Sequence, residues 1–319
     1  MLIGIIVGSI AAFLILMLLL FAVILDKVVF GVRYDKKPYL KYFTAEDFNL
    51  SAEPVSVTDK LNGYIYSGEK RNGKLLIFCH GMGPGHIAYT TEIAYFCKLG
   101  YTVLAVDSLG CNLSKGKSMR GMYEGVRTAE YAIRFAESRE ELKGLPIYLL
   151  GHSWGGYVVL CVTKTPKIKG VVAISAPVSP SKTLSHGAEG GIPKLFAKIY
   201  IPVWYIVNFF KFGKNGNLNA AKCADKCNVP TLLIHGDCDE VVNKANSVYY
   251  KAKGKEEKYL THGKAHNPYN TLEAEKQLAN LMSADPEKDK RFFEDFDFKK
   301  ATEEDEEVMK VISDFFDKH

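Results

Sequence analysis

Gly151-His152-Ser153-Trp154-Gly155-Gly156 sets a serine among glycines where an apolar run, Pro146-Ile-Tyr-Leu-Leu150, gives way to a helical pattern through Val162. A serine on such a tight strand-to-helix turn projects its hydroxyl above the sheet edge, ready to attack a carbonyl carbon. Strand and helix crowd the neighbouring positions, and glycine at 151, 155 and 156 removes that crowding. The helix N-terminus favours developing negative charge. A glycine-rich helix start with serine as its cap is the plain alternative. The strand before and the helix after favour the nucleophile.

A serine hydroxyl needs a base, and the base needs an acid to orient it. Asp239, in His235-Gly-Asp-Cys-Asp-Glu, lies five residues past a strand ending at Ile234. That places it at the same carboxyl edge as Ser153. Asp237 is its rival, nearer the strand and suited to structuring the turn. His266, in Thr261-His-Gly-Lys-Ala-His-Asn-Pro268, is the expected base, with His262 as rival. Two backbone N–H groups should hold the oxyanion. One is expected from Trp154 and the other from Met82, in the glycine-rich loop Cys79-His-Gly-Met-Gly-Pro-Gly-His86. This loop lacks the Gly-Lys-[Ser/Thr] ending of a phosphate-binding loop. His80 and His152 flank motif positions. His86, His186 and His319 show no partner in the sequence, so a turn or solvated role is expected of each.

These residues need a scaffold. Apolar runs at 74–79, 101–106, 146–150, 170–174, 231–234 and 258–260 read as strands, with helices over 87–99, 121–137 and 154–162 between them. The alternation implies an α/β fold with a mostly parallel sheet and helices on both faces. Residues 179–221 break the rhythm with a helical insertion rich in aromatics, including Trp204, Tyr205 and Phe209, expected to line a substrate pocket. The expected organisation is a membrane anchor over 1–27, a connector over 28–60, the catalytic domain over 61–285 and an acidic extension over 286–319. The last is expected to carry a packing helix without catalytic role.

Leu2 to Leu25 is an uncharged stretch of 24 residues. As a helix it is about 36 Å long, enough for a hydrocarbon core of about 30 Å. It lacks the basic start and short apolar region of a cleaved signal peptide. Lys27, Arg33, Lys36, Lys37 and Lys41 follow it, which puts the catalytic domain on the cytoplasmic side. The net charge is +5, but residues 285–319 hold 13 acidic against 7 basic side chains, so the remaining body is strongly basic. That suits an anionic membrane surface. No zinc-finger spacing and no basic run interleaved with aromatics is present, so no nucleic-acid partner is expected. The seven cysteines are odd in number and partly inside apolar runs, which argues against a disulfide framework. Cys223 and Cys227 lack a second ligand pair, so no metal is expected.

His80-Gly-x-Gly83, Asp107-x-x-Gly110-x-x-x-Ser114-x-Gly116, Gly151-His-Ser-Trp-Gly-Gly156, His235-Gly-x-x-Asp239 and the loop His266 together resemble the α/β-hydrolase superfamily. Within it they are similar to the branch of monoacylglycerol lipases, esterases and proline-type aminopeptidases. Asn112 departs from the glycine that many relatives carry there. The resemblance implies an α/β-hydrolase fold with a cap insertion. It implies acyl transfer by Ser153, Asp239 and His266 on an ester or lipid substrate, with no cofactor. An aminopeptidase would need acidic cap residues to hold an amine, and residues 179–221 offer only Glu189. An acyltransferase, or a binding protein with a relic site, are the other readings. The oligomeric state is not legible in the sequence.

Overall fold

The apolar runs pair into one eight-stranded sheet in a computed structural model that describes residues 1–162, 167–187 and 194–319. The strands are β1 (Ser51–Ser56), β2 (Asn62–Ser67), β3 (Leu75–Cys79), β4 (Thr102–Val106), β5 (Ile147–His152), β6 (Ile168–Ile174), β7 (Thr231–Gly236) and β8 (Glu257–Thr261). Their order is β1-β2-β4-β3-β5-β6-β7-β8. β1 and β2 form an antiparallel pair, and β2 runs antiparallel to β4. Every pairing from β4 to β8 is parallel.

The helices are α1 (Leu2–Phe30), α2 (Thr90–Lys98), α3 (Met122–Ser138), α4 (Trp154–Cys161), α5 (Pro180–Gly187), α6 (Lys194–Phe212), α7 (Ala220–Asp225), α8 (Val248–Lys251), α9 (Leu272–Ser283), α10 (Lys290–Asp295) and α11 (Glu306–Lys318). Successive strand side chains point to opposite faces. Leu75 and Ile77 pack with α3 and α4 through Val126, Ile133 and Val158. Leu76 and Phe78 pack with α2 and α11 through Ile93, Phe96, Ile312 and Phe316. Both faces of the central strands are covered, so these strands are apolar throughout. This is the α/β-hydrolase fold.

The sheet starts earlier than the sequence suggests. β1 lies inside the stretch read as a connector, and α1 continues to Phe30. In β1 only Val55 is buried, and Pro54 is tolerated because the strand is at the edge. The connector is also docked: Arg33 donates to the carbonyls of Asn112, Ser114 and Gly116. The C-terminal extension belongs to the core, because Phe316 is fully buried.

α1 is the one helix among the described residues long and apolar enough to cross a membrane. Its apolar side chains from Leu2 to Leu16 are exposed, so it is no buried core helix. Length and composition fit an anchor or a signal sequence. Its last third differs. Ala22, Asp26 and Phe30 share one face and are buried. Trp204 Nε1 of α6 donates to Asp26 Oδ1 at 3.0 Å, and Lys211 Nζ reaches Asp26 Oδ2 at 2.7 Å.

Candidate active site

Ser153 follows β5, the Gly81 loop follows β3, Asp239 follows β7 and His266 follows β8. All four therefore sit at the carboxyl edge of the parallel strands, where sheets of this class hold their ligands. Ser153 has φ 56° and ψ −119°, a conformation that costs energy for any residue with a Cβ. Its N–H is held by the Ile174 carbonyl at 2.8 Å. The surrounding glycines have no room for a side chain. A Cβ on Gly155 would lie 1.8 Å from the Cys79 carbonyl oxygen, and one on Gly151 would lie 2.2 Å from that of Gly155.

Asp239 and His266 meet as the chemistry requires. His266 Nδ1 donates to Asp239 Oδ2 at 2.9 Å, leaving Nε2 on the far side of the ring. Asp239 is buried, and its Oδ1 accepts from the Val242 N–H at 2.8 Å. Burial pushes the carboxyl up, but His266, the Val242 N–H and His235 outweigh it and hold Asp239 below its ordinary value. The rivals pair with each other instead. His262, 82% exposed, donates to Asp237 Oδ2 at 3.0 Å, and the Gly263 N–H donates to Asp237 Oδ1. They structure the turn at the surface.

The Gly81 loop closes on Ser153. A Cβ on Gly81 would come within 3.3 Å of Ser153 Cβ, so only glycine brings this backbone so near. Met82 is the next residue, packed against the core. His80 pins the loop from below: Nδ1 donates to the Gly81 carbonyl at 2.7 Å, and Nε2 accepts from the Ser108 N–H at 2.9 Å. Burial lowers its pKa and keeps it neutral for both roles. Its ring stands edge-on to Trp154, whose Nε1 donates to the Met122 carbonyl.

Several residues near the site do more than the sequence revealed. His152 Nε2 donates to the His266 carbonyl at 2.8 Å, and Tyr89 Oη lies 3.0 Å from His152 Nδ1. Burial, with His266 adding to it, pushes His152 down to about 3. His86 is neither solvated nor unpartnered. It is buried, its N–H and Nδ1 bind Asp107 Oδ1, and its Nε2 meets Tyr66 Oη. Asp107 Oδ2 accepts from the Leu113 N–H and from Asn112 Nδ2. Asn112 has φ 37°, which explains how asparagine serves where glycine is common: it tolerates this backbone and adds a bond. The signal for His86 was its place in the glycine loop, opposite an Asp-x-x-Gly turn.

The cap aromatics part ways with expectation. Trp204 is fully buried against α1, where its ring meets Phe30. Tyr205 is exposed and its hydroxyl meets Ser181 Oγ, while Phe209 is exposed. The aromatic face turns outward or to α1 because α6 packs beside that helix. Glu189 and Ile192 lie outside the described residues. Among the described residues no group of three or more His, Cys, Asp or Glu is placed to hold a metal ion.

A family described as "alpha/beta hydrolase fold" matches residues 74–201, which include Ser153. A proline iminopeptidase from Heyndrickxia coagulans is 30% identical over 131 residues, covering 39% of this chain and 44% of that protein. The chain thus matches less than half the length of that relative. Among solved structures, an esterase from Pyrococcus furiosus superposes with a TM-score of 0.57 at 18% identity, covering 78% of this chain and 96% of that one. A second crystal form of it gives 0.57 at 21% identity. At these identities the likeness is one of fold.

Proposed function

We propose that this chain is a serine hydrolase that cleaves carboxylic ester bonds through an acyl-enzyme on Ser153, next to a membrane. The observation that carries the reading is the buried Asp239 bonded to His266 Nδ1, set on the same sheet edge as a serine in a strained elbow. His266 takes the Ser153 proton on Nε2 as Oγ attacks the carbonyl carbon. The Met82 and Trp154 N–H groups receive the negative charge that builds on oxygen. His266 then protonates the leaving alcohol, and in the second half it activates water to release the acid. A hydrolytic role is supported in general by the fold and the family match. A fluorophosphonate probe should label the protein and fail on Ser153→Ala. A folded wild-type chain that takes no label would sink the proposal.

The ester reading rests on the insertion, whose residues 179–221 contain a single acid for binding an amine. The likeness to a proline iminopeptidase favours a second reading, cleavage of an N-terminal aminoacyl bond. Side-by-side kinetics on p-nitrophenyl esters from acetate to octanoate and on aminoacyl anilides separates them. The ester reading expects activity to persist at octanoate and the anilides to be poor. The Asp26–Trp204–Lys211 contacts support a retained α1 acting as an anchor, and the basic residues Lys27, Arg33, Lys36, Lys37 and Lys41 after it favour the cytoplasmic side for the catalytic domain. Alkaline carbonate should leave the protein in the membrane. A mature N-terminus beyond residue 25 would show a signal sequence instead.

A further inference from the structure

α6 carries an apolar face that no described residue covers. Ile199, Ile206, Phe209 and Phe210 are exposed, Phe210 at 83%. At 100° per residue they fall on one side of the helix, together with Pro202 and Tyr205; the stretch from Ile199 to Phe210 holds no charge, while Lys198 falls on the same side just before it. Tyr200, Trp204 and Lys211 fall on the other side and meet α1. A contiguous apolar face of this kind on a folded chain marks a contact surface.

We propose that this outer face of α6 lies in the same lipid bilayer as α1. This rests on reading α1 as an anchor. Three observations select a bilayer over a protein partner. First, the helix it packs on is itself apolar on its outer side: Leu20, Ile24 and Val28 of α1 are exposed, on the side away from the α1–α6 contact. Second, Phe21 meets Tyr200 edge-on at 5.7 Å while Phe30 meets Trp204 at 6.1 Å. α6 therefore runs alongside the last third of α1, at the depth where a spanning helix leaves the hydrocarbon. Third, the one acid on the buried side of that third, Asp26, is neutralised by Lys211 and bonded by the Trp204 indole. An unpaired carboxylate at that depth would be costly, and the pairing lets both helices enter the interface as a unit. At its far end α6 meets the site's support: Phe212 packs on Gly121 and Tyr123, at the start of the helix whose Met122 carbonyl holds Trp154. The membrane contact thus reaches the residue after the nucleophile through one helix.

The test uses the full chain in phosphatidylcholine–phosphatidylglycerol vesicles made with ordinary or dibrominated lipid. Tryptophan emission is compared in Leu14→Trp, Phe210→Trp and Met282→Trp, each against the parent protein, whose two tryptophans are buried. Met282 is 82% exposed on α9 and serves as the solvent control. The added emission from positions 14 and 210 should be quenched at least about threefold more than that from 282, since bromine quenches on contact within the acyl region. Quenching at 14 but not at 210 overturns the inference and leaves the anchor standing. No quenching at either overturns both. Cross-linking of Phe210→Cys to a second copy, with no lipid quenching at 210, identifies a dimer face and likewise overturns it.

Discussion

The Tyr89 hydroxyl accepts from the Gly81 N–H at 3.1 Å, and its single proton is left for His152 Nδ1. His152 is then neutral with its proton on Nε2, which the His266 carbonyl accepts. One relay therefore ties the loop facing Ser153 to the backbone of the proposed base, passing through the residue before Ser153. Tyr89→Phe keeps the ring and removes the oxygen, leaving Gly81 N–H and His152 Nδ1 without their partner. The expected result is a fall in kcat of about tenfold with KM little changed, because small misplacements of aligned groups are costly. Thermal stability should drop by only about 1–2 kcal/mol, the cost of the unmet bonds. Steady-state kinetics beside a melting curve checks this. A loss in KM alone would place Tyr89 in substrate binding instead.

At the scale of elements, the C-terminal helix α11 does more than pack. Asp305 caps it through the N–H groups of Glu307 and Val308, and its Oδ2 binds Lys264 Nζ at 2.8 Å. Lys264 is buried, also donates to the Asn270 carbonyl, and stands two residues before His266. Glu275 of α9 accepts from the Ala265 N–H. The loop bearing the proposed base is thus held from two helices. Asp305→Asn should retain the cap and lose the ion pair, lowering stability by about 2 kcal/mol and kcat by a few fold, with KM unchanged. Unchanged kcat in a destabilised variant would confine Asp305 to packing. These ties were not legible in the sequence, because they join residues 264 and 305 whose spacing carries no pattern. The central strands were legible, since burial on both faces writes an unbroken apolar run. β1 was not, because an edge strand such as Ser51-Ala-Glu-Pro-Val-Ser56 buries one side chain and shows no alternation. The choice of Asp239 over Asp237 could be argued from their distances past the strand, while the direction of Trp204 could not, since it depends on α1 packing beside α6.

Over the whole molecule, two acids, one buried on α2 and one half-buried in the C-terminal segment, shape how stability varies with pH. Burial pushes Glu92 up to about 7, and burial together with the charge of Glu92 pushes Glu304 up to about 8. Thr91 bonds Glu92, and Lys98 partly offsets the rise of Glu304. Both carboxyls stand above their unfolded value of about 4.5. Between that value and about 7 to 8 the folded chain therefore binds more protons than the unfolded one, and stability falls as pH rises across this window. Asp239 and Asp305 act in the opposite sense below it. Their folded values are lowered, so their contribution is present above about 4 and is lost as pH falls further. The lowered His80, His152 and His235 cost stability as pH falls below about 6.5, so the maximum lies near pH 6.5, with a decline toward pH 8. Glu92→Gln removes the titrating charge while keeping the shape. Its melting temperature should exceed wild type by a few degrees at pH 8, about 2–4 °C per kcal/mol for a chain of this size, and match it near pH 5. Melting curves across pH 4.5 to 8.5 decide the matter. A wild-type profile that is flat or rising from 6.5 to 8, or a Glu92→Gln shift that is equal at both ends, would show that the pair is not held protonated in the folded chain.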